Sequence, residues 1–387
     1  MGRMTVGDIF SRLAARGADR ESLWREADAV RRRTVGDTVH LRALLEFSNR
    51  CVQDCLYCGL RRSRKDLLRY AMQPAAVVRT AVAAARAGFA TVILQSGEDP
   101  AYDQETLGDI IRRIKAAAPD VQVTLSVGER PFADYRAWRR AGAERYLLKH
   151  ETADPVLYAR LRPGHRLSGR LKRARWLSEL GYAVGLGNMV GLPGQGPAAL
   201  VADLELLAEF EPEMVASGPF LPHPATPLRD APAGDPYLVL NFIALARLIL
   251  PRAAIPATTA LATALPGGRE LALAAGADVV MVNVGPGALR SLYEIYPLRD
   301  DGSSLRPDRF AAGSGARSGA RSGAQPGERS GERAGEPPEE SLAALRARVA
   351  AWLAELGRTA DGTPGRAAAS GAGLAPQVGA EAGASPP

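Results

Sequence analysis

Only 3 cysteines and 4 lysines occur among 387 residues, and no stretch approaches the roughly 18 uninterrupted apolar residues that a membrane span requires. So few cysteines cannot staple a disulfide scaffold. All 3 fall between positions 51 and 58, the clustering of a metal site in a reducing, cytoplasmic compartment. Residues 1–33 are arginine-rich, but acidic residues interrupt them and no apolar signal-peptide core follows, so export is not expected. The charge balance, 49 Lys+Arg against 42 Asp+Glu, rests on arginine. That excess is spread along the chain with acids between and forms no basic stripe with interleaved aromatics. It reads as coding bias and argues against a nucleic-acid partner.

What is present is a large apolar inventory, 46% of residues, in three compositional parts. Residues 1–40 place Ile9, Leu13, Leu23, Trp24 and Val30 at helical spacing and predict an N-terminal helical extension. Residues 41–300 alternate β-rich runs with helical patterns. The runs at 41–48, 90–96, 121–127, 145–151, 183–190, 214–220, 253–260 and 278–283 are eight strand candidates. Helical patterns lie between them, as at 74–87, 104–117 and 197–210, with a last one from near Gly287. Eight strand–helix repeats predict a (β/α)8 TIM barrel of the α/β class, whose chemistry sits in the loops at the C-terminal strand ends.

Residues 301–340 change character. The run SGARSGARSGAQPGERSGERAGEPP at 314–338 has almost nothing to bury and predicts a disordered insert. A C-terminal helix at 341–358 follows, with Leu342, Leu345, Val349, Trp352, Leu353 and Leu356 on the face expected to dock on the barrel. Residues 359–387 predict a disordered tail.

Directly after the first strand stands Cys51-Val-Gln-Asp-Cys55-Leu-Tyr-Cys58, a C-x3-C-x2-C spacing. A structural zinc site would need a fourth ligand, such as His40 or another histidine. A 4Fe-4S cluster held by three thiolates instead leaves one iron open for a small molecule.

This motif, with Tyr57 before its last cysteine, resembles the radical S-adenosylmethionine (SAM) superfamily. Further segments extend the likeness over residues 40–300, in order: EFSNRCVQDCLYCGLRR (46–62), LQSGEDP (94–100), LLKHETADPVLYARLRP (147–163), GNMVGLPGQ (187–195), GPFLPHPATPL (218–228), IPATTAL (255–261) and LYEIYP (292–297). Together they resemble the E-type radical SAM maturases of FeFe-hydrogenase. The resemblance implies one 4Fe-4S cluster on Cys51, Cys55 and Cys58, bound SAM, and a 5'-deoxyadenosyl radical formed by one-electron reduction. It further implies a one-electron donor, other maturation proteins as partners, and a small precursor of the H-cluster diiron site, anionic or cysteine-derived. Some relatives hold a second cluster near the C-terminus; no cysteine stands there in this chain, so none is expected.

For SAM, the resemblance points to Tyr57, Gln95, Glu98 of the Gly97-Glu98 pair, Glu151, Arg170 and Met189, with Ser96 beside them. A guanidinium such as that of Arg170 suits bidentate recognition of a carboxylate. Thr124 and Ser126 share a face of the third strand by period two, either as ligand groups or as a solvated barrel end. Lys149 and Glu151 have the same relation on the fourth, which turns His150 outward into a structural role. The substrate cavity is assigned Lys149, Thr258, Thr259, Asn283, Tyr293 and Tyr296. Thr258 and Thr259 are adjacent on a strand, so one at most points inward, and Tyr293 and Tyr296 share a helix face. Relatives are expected to carry arginine where Lys149 stands, so the charge persists without the fork. Two other readings remain: a methylornithine-synthase-like rearrangement enzyme, and a non-enzymatic zinc protein.

Overall fold

The structure is a computed structural model and describes residues 4–295, 297 and 339–361. Two helices open it, α1 (Val6–Leu13) and α2 (Gly17–Thr34). Thr5 and Asp8 form a reciprocal capping box at the start of α1, satisfying amides that the first helical turn leaves orphaned. The repeats then run β1 (Thr38–Ser48), α3 (Pro74–Arg86), β2 (Thr91–Ser96), α4 (Gln104–Ala117), β3 (Gln122–Ser126), α5 (Phe132–Ala141), β4 (Ala143–Leu147), α6 (Pro155–Leu161) and α7 (Leu167–Glu179). They continue as β5 (Ala183–Leu186), β6 (Met189–Val190), α8 (Pro197–Phe210), β7 (Met214–Val215), β8 (Gly218–Pro219), α9 (Pro236–Ile249), α10 (Thr259–Ala264), α11 (Gly268–Ala274), β9 (Val279–Asn283) and α12 (Gly287–Arg290). Finally come α13 (Glu339–Glu355) and β10 (Thr359–Asp361).

Strands β1, β2, β3, β4, β5 and β7 pair in parallel in chain order, and β9 returns to β1. The gap between β7 and β9 is bridged at Met214–Ala254 and Pro256–Val279, so the ring closes as an eight-staved barrel. The strand expected at 253–260 is thus reduced to two bridges. Pro256 has no N–H to give a ladder, and Thr258 leaves the sheet to cap α10. The expected strands at 183–190 and 214–220 are each split, the second pieces pairing as β6 with β8.

Alternation along β1 sorts its side chains. Leu41, Ala43, Leu45 and Phe47 join the core under the helices, while Arg42, Leu44 and Glu46 turn inward. Leu147, Met214, Ala216, Ala254 and Val279 form an inner apolar layer. Below it Arg145 donates to Gln122 Oε1 at 2.7 Å and pairs with Glu213, which lies 3.4 Å from Arg42. The outer core includes fully buried Trp138, Tyr135, Tyr146 and Phe242, each worth about 1.5–3 kcal/mol relative to exposure.

The C-terminal helix α13 buries Leu342, Leu345, Val349, Trp352 and Leu353. Leu356 does not join them; it lies past the last residue of α13 and is 39% exposed. The tail expected from 359 begins as a strand instead, Thr359–Asp361, paired in parallel with Thr38–His40. Arg358 fixes it to α2 through Asp28 at 2.7 Å. The expectations for residues 301–338, 362–387 and Tyr296 lie outside the described residues. Among the described residues no helix is long and apolar enough to cross a membrane.

Candidate active site

The three cysteines follow β1 on a loop that is heavily pinned to the barrel. Asn49, fully buried, donates to Leu68 O and Leu292 O at 2.9 and 2.8 Å and accepts from Tyr70 N. Arg69 donates to the carbonyls of Asn49, Leu60, Arg61 and Arg64, so one guanidinium gathers both halves of the loop. Amides point at the sulfurs: Gln53 and Glu98 donate to Cys51 Sγ and Leu60 to Cys58 Sγ, each at 3.4 Å. Burial pushes the Cys51 thiol up to about 11 against the pull of those two amides. Burial likewise raises Cys55 and Cys58.

Among the described residues no three His, Cys, Asp or Glu side chains converge as a single metal ion would require. His40 cannot complete a zinc site. It stands eight residues before Ser48, at about 3.3 Å per strand residue, at the opposite end of β1. His223 lies against Gly59, but its Nδ1 accepts from Ala225 N and its Nε2 faces Arg64 at 3.4 Å.

Strands β2 and β3 are each followed by a Gly-Glu pair, Gly97-Glu98 directly after Ser96 and Gly128-Glu129 two residues after Ser126. A Cβ at Gly97 would come within 2.2 Å of Arg50 O and 2.8 Å of the Cys51 Cβ, so glycine lets the end of β2 lie against the cysteine loop. Gly128, at φ +76°, makes room for the Glu98 side chain, which would meet an added Cβ at 2.0 Å. Glu98 accepts from Gln53 Nε2 at 2.5 Å and from Glu129 N at 3.0 Å.

Glu129 is the centre of a charged cluster that the sequence reading did not single out. Arg170, Arg162 and Arg173 approach its carboxylate at 3.1, 3.4 and 3.3 Å. Burial opposes its ionisation, but Arg170, Arg162 and Arg173 outweigh it and hold the carboxyl below its ordinary range. Arg162, also unforeseen, is 2% exposed and extends to Tyr158 Oη at 3.1 Å and to Glu98 at 3.6 Å. A signal for both existed: a second Gly-Glu pair repeats the first, and Arg162 sits within the quoted segment 147–163.

Arg170, on α7, donates from Nε to Lys149 O at 2.8 Å and stands 3.7 Å from Glu151. Lys149 Nζ is also 3.7 Å from Glu151, so the two approach each other, though not as strand neighbours. Strand β4 stops at Leu147, and Glu151 adopts φ 68° in the left-handed region, bridging to Asn188. His150 turns away into a buried network: its ring meets Asp203 at 3.1 Å, and Asp203 accepts from Asn188, which accepts from Ser217.

Met189 packs with Tyr57 on an apolar cluster of Leu157, Leu161, Leu192 and Phe220. Its amide donates to Glu151 O at 2.9 Å. Gln95 and Ser126 are register partners at the barrel mouth. Thr124 sits one layer deeper on the face of Ser126, 1% exposed, and its Oγ1 has no partner. Glu46, on the inner face of β1, accepts from Asn283 Nδ2 at 2.8 Å; this buried acid is a further residue not singled out.

Two cavity expectations need correction. Thr258 and Thr259 are not strand neighbours: Thr258 is the N-cap of α10, accepting from Leu261 N at 3.3 Å, and Thr259 is its first residue. Tyr293 is buried but lies beyond α12, a single turn, so it is not on a helix; Tyr296 lies outside the described residues.

Comparison with known proteins agrees with this geometry. The family model described as "Radical SAM superfamily" matches residues 45–207. The FeFe hydrogenase maturase subunit HydE of Thermotoga maritima is 51% identical over 277 residues, 72% of this chain and 79% of that protein. A 3-methylornithine synthase of Methanosarcina acetivorans is 30% identical over 240 residues, 62% of this chain and 68% of the other. Among solved structures, a methylornithine synthase superposes with a TM-score of 0.67 at 28% identity, covering 72% of this chain and 82% of the other. The barrel, the three-cysteine loop at its mouth and a 51% identical relative lead to one assignment: this chain belongs to the radical SAM superfamily and, within it, to the HydE-type maturases of FeFe hydrogenase.

Proposed function

We propose that this enzyme reductively cleaves SAM and turns the resulting radical on a small precursor during assembly of the diiron part of the hydrogenase H-cluster. The observation that carries the reading is one juxtaposition. The thiols of Cys51, Cys55 and Cys58 share the mouth of the barrel with Gly97-Glu98 and with the Glu129–Arg162–Arg170–Glu151 cluster.

The donor set fits the family's cofactors, one 4Fe-4S cluster and SAM. Three soft thiolates with amide N–H donors on Cys51 and Cys58 suit an anionic cluster, whose charge such bonds stabilise. Several mouth ion pairs exceed hydrogen-bond length, at 3.6 Å for Arg162–Glu98 and 3.7 Å for Arg170–Glu151, which leaves donors and acceptors for a zwitterion. Bound together, the cluster and SAM supply a 5'-deoxyadenosyl radical on one-electron reduction.

The chain's own residues then hold and orient. Arg170 offers its Nη2 edge to the SAM carboxylate, and Glu98 and Glu151 offer acceptors to the amino and ribose groups. Met189 and Tyr57 form an apolar wall for the adenine and sulfonium region, and Gln95 and Thr124 supply polar contacts beneath. The precursor cavity carries Lys149 as its cation and Glu46 with Asn283 as its acceptors, a pairing suited to a small cysteine-derived precursor with a carboxylate. Thr258 and Tyr293 complete it. Partners are the other hydrogenase maturation proteins and a one-electron donor, in the cytoplasm.

A methylornithine-type rearrangement is the second reading, favoured by the 30% identity to such synthases. The test is SAM cleavage under dithionite with each candidate precursor. Cleavage stimulated only by a hydrogenase-cluster precursor supports the maturase reading; cleavage coupled to formation of 3-methylornithine overturns it.

A further inference from the structure

Among the described residues two that are not glycine hold a positive φ, Glu151 at 68° and Glu211 at 51°. Glu211 has a local reason. It closes α8 as a left-handed cap whose amide donates to Leu207 O at 2.9 Å, an ordinary helix end. Glu151 caps no helix. Thr152 N donates to His150 O at 2.9 Å, which makes Glu151 the centre of a three-residue turn, and a positive φ at that centre is the rare, strained form of the turn.

What holds this turn comes from elsewhere in the chain. Asp203, in the middle of α8, is fully buried and uses both carboxylate oxygens on it. Its Oδ1 meets His150 Nε2 at 3.1 Å and accepts closely from Ala153 N, so the chain before and after Glu151 ends on one oxygen. Its Oδ2 accepts from Asn188 Nδ2 at 2.8 Å. Asn188 is the bridge partner of Glu151, with Glu151 N donating to Gly187 O at 3.0 Å and Met189 N to Glu151 O at 2.9 Å. Ser217 Oγ donates to Asn188 Oδ1 at 2.7 Å and so fixes which way that amide faces. His150, Asn188, Asp203 and Ser217 are all buried, whereas the Glu151 carboxylate stands at the mouth, 3.7 Å from both Lys149 and Arg170. Apolar groups of the same shape would serve the core about as well as this network. A strained backbone persists where its surroundings over-determine it, and here all three partners of one buried acid belong to the Glu151 turn or its bridge.

We propose that Asp203 is a positioning residue: buried out of reach of any ligand, it holds the strained turn that aims the Glu151 carboxylate at SAM. The inference rests on the reading of Glu151 as a SAM contact. Asp203 then acts on the affinity and placement of SAM through Glu151 alone.

The test is a double-mutant cycle on SAM affinity, measured by anaerobic calorimetry with the cluster-loaded full chain. Asp203→Asn keeps the volume but turns one acceptor into a donor, opposite either Asn188 Nδ2 or the His150 and Ala153 pair, so one side of the hold is lost. D203N should weaken SAM binding about tenfold, E151A at least as much, and D203N added to E151A should cost less than about twofold more. An equal loss from D203N in both backgrounds is what a merely structural acid would give, and it overturns the proposal. An E151A protein that binds SAM like wild type overturns the Glu151 reading and the proposal with it, so the two failures are told apart. The cluster-free chain gives a readout independent of SAM. Hydrogen exchange at the Thr152 and Ala153 amides should rise at least about tenfold in D203N, and unchanged exchange overturns the proposal. Should D203N fail to fold, Ser217→Ala, which frees Asn188 and leaves Asp203 in place, should weaken SAM about threefold and only where Glu151 is present; no loss, or the same loss in E151A, overturns it.

Discussion

At the floor of the barrel Arg145 donates to Gln122 at 2.7 Å and pairs closely with Glu213, whereas at the mouth Arg162 stands 3.6 Å from Glu98 and Arg170 stands 3.7 Å from Glu151. Both ends bury charge in the same closed sheet. The floor uses its charges on itself and so serves the fold. The mouth gathers Arg170, Arg162 and Arg173 on Glu129 at 3.1–3.4 Å but leaves Arg162–Glu98 and Arg170–Glu151 beyond hydrogen-bond length, so capacity remains at those two pairs for a ligand. The difference separates stability from function along one axis, as expected for a barrel whose chemistry lies at its C-terminal face.

The comparison can be broken most severely at the cysteine loop. Cys55→Ala should abolish cluster assembly and SAM cleavage, read as iron content and 5'-deoxyadenosine; an iron-loaded, SAM-cleaving variant would contradict the assignment. At the floor, Glu213→Gln leaves Arg42 and Arg145 without their carboxylate and should destabilise by about 3 kcal/mol in denaturant titrations. SAM affinity of the loaded variant should stay unchanged, and a weakened SAM affinity would erase the distinction between the ends. At the mouth, Arg170→Lys should do the reverse. Loss of the planar fork should weaken SAM binding by calorimetry by roughly tenfold to 100-fold, the value of about 1.5–3 kcal/mol for bonds to a charged group, with a smaller effect on stability.

Glu129→Gln sharpens the comparison through pH. Its folded carboxyl is held low by Arg170, Arg162 and Arg173, so its stabilising contribution is complete above the unfolded value of about 4.3. That contribution is lost as pH falls through the folded value. Wild type should therefore exceed the variant by about 1–3 kcal/mol at pH 7, and the gap should close in acid below about pH 4. Smallest of all, deletion of 314–338 should leave cluster content and SAM cleavage nearly intact.

The barrel was legible because its strands carry strong apolar runs, such as 41–48 and 90–96, at regular spacing. The seventh stave was overdrawn: Ala254 and Pro256 have strand-like neighbours, but proline cannot donate and Thr258 is a helix cap. Strand β10 was illegible, since Thr359–Asp361 is polar and is ordered by register with Thr38–His40 and by the Arg358–Asp28 pair, both long-range. In the site, the three cysteines stood out by their spacing as metal-ligand candidates, and the resemblance gave them a cluster. Glu129 and Arg162 gave only the faint signals of a repeated Gly-Glu pair and a shared segment, and Glu46 gave none, because their meaning lies in which other groups the fold brings within 4 Å.

The most direct test is activation of apo-FeFe-hydrogenase in an anaerobic maturation mixture lacking only its E-type component, with this protein added and hydrogen evolution followed. Hydrogen that depends on SAM and on Cys51, Cys55 and Cys58 is the predicted result. SAM cleavage without any hydrogen would contradict the maturase assignment while leaving the radical chemistry in place.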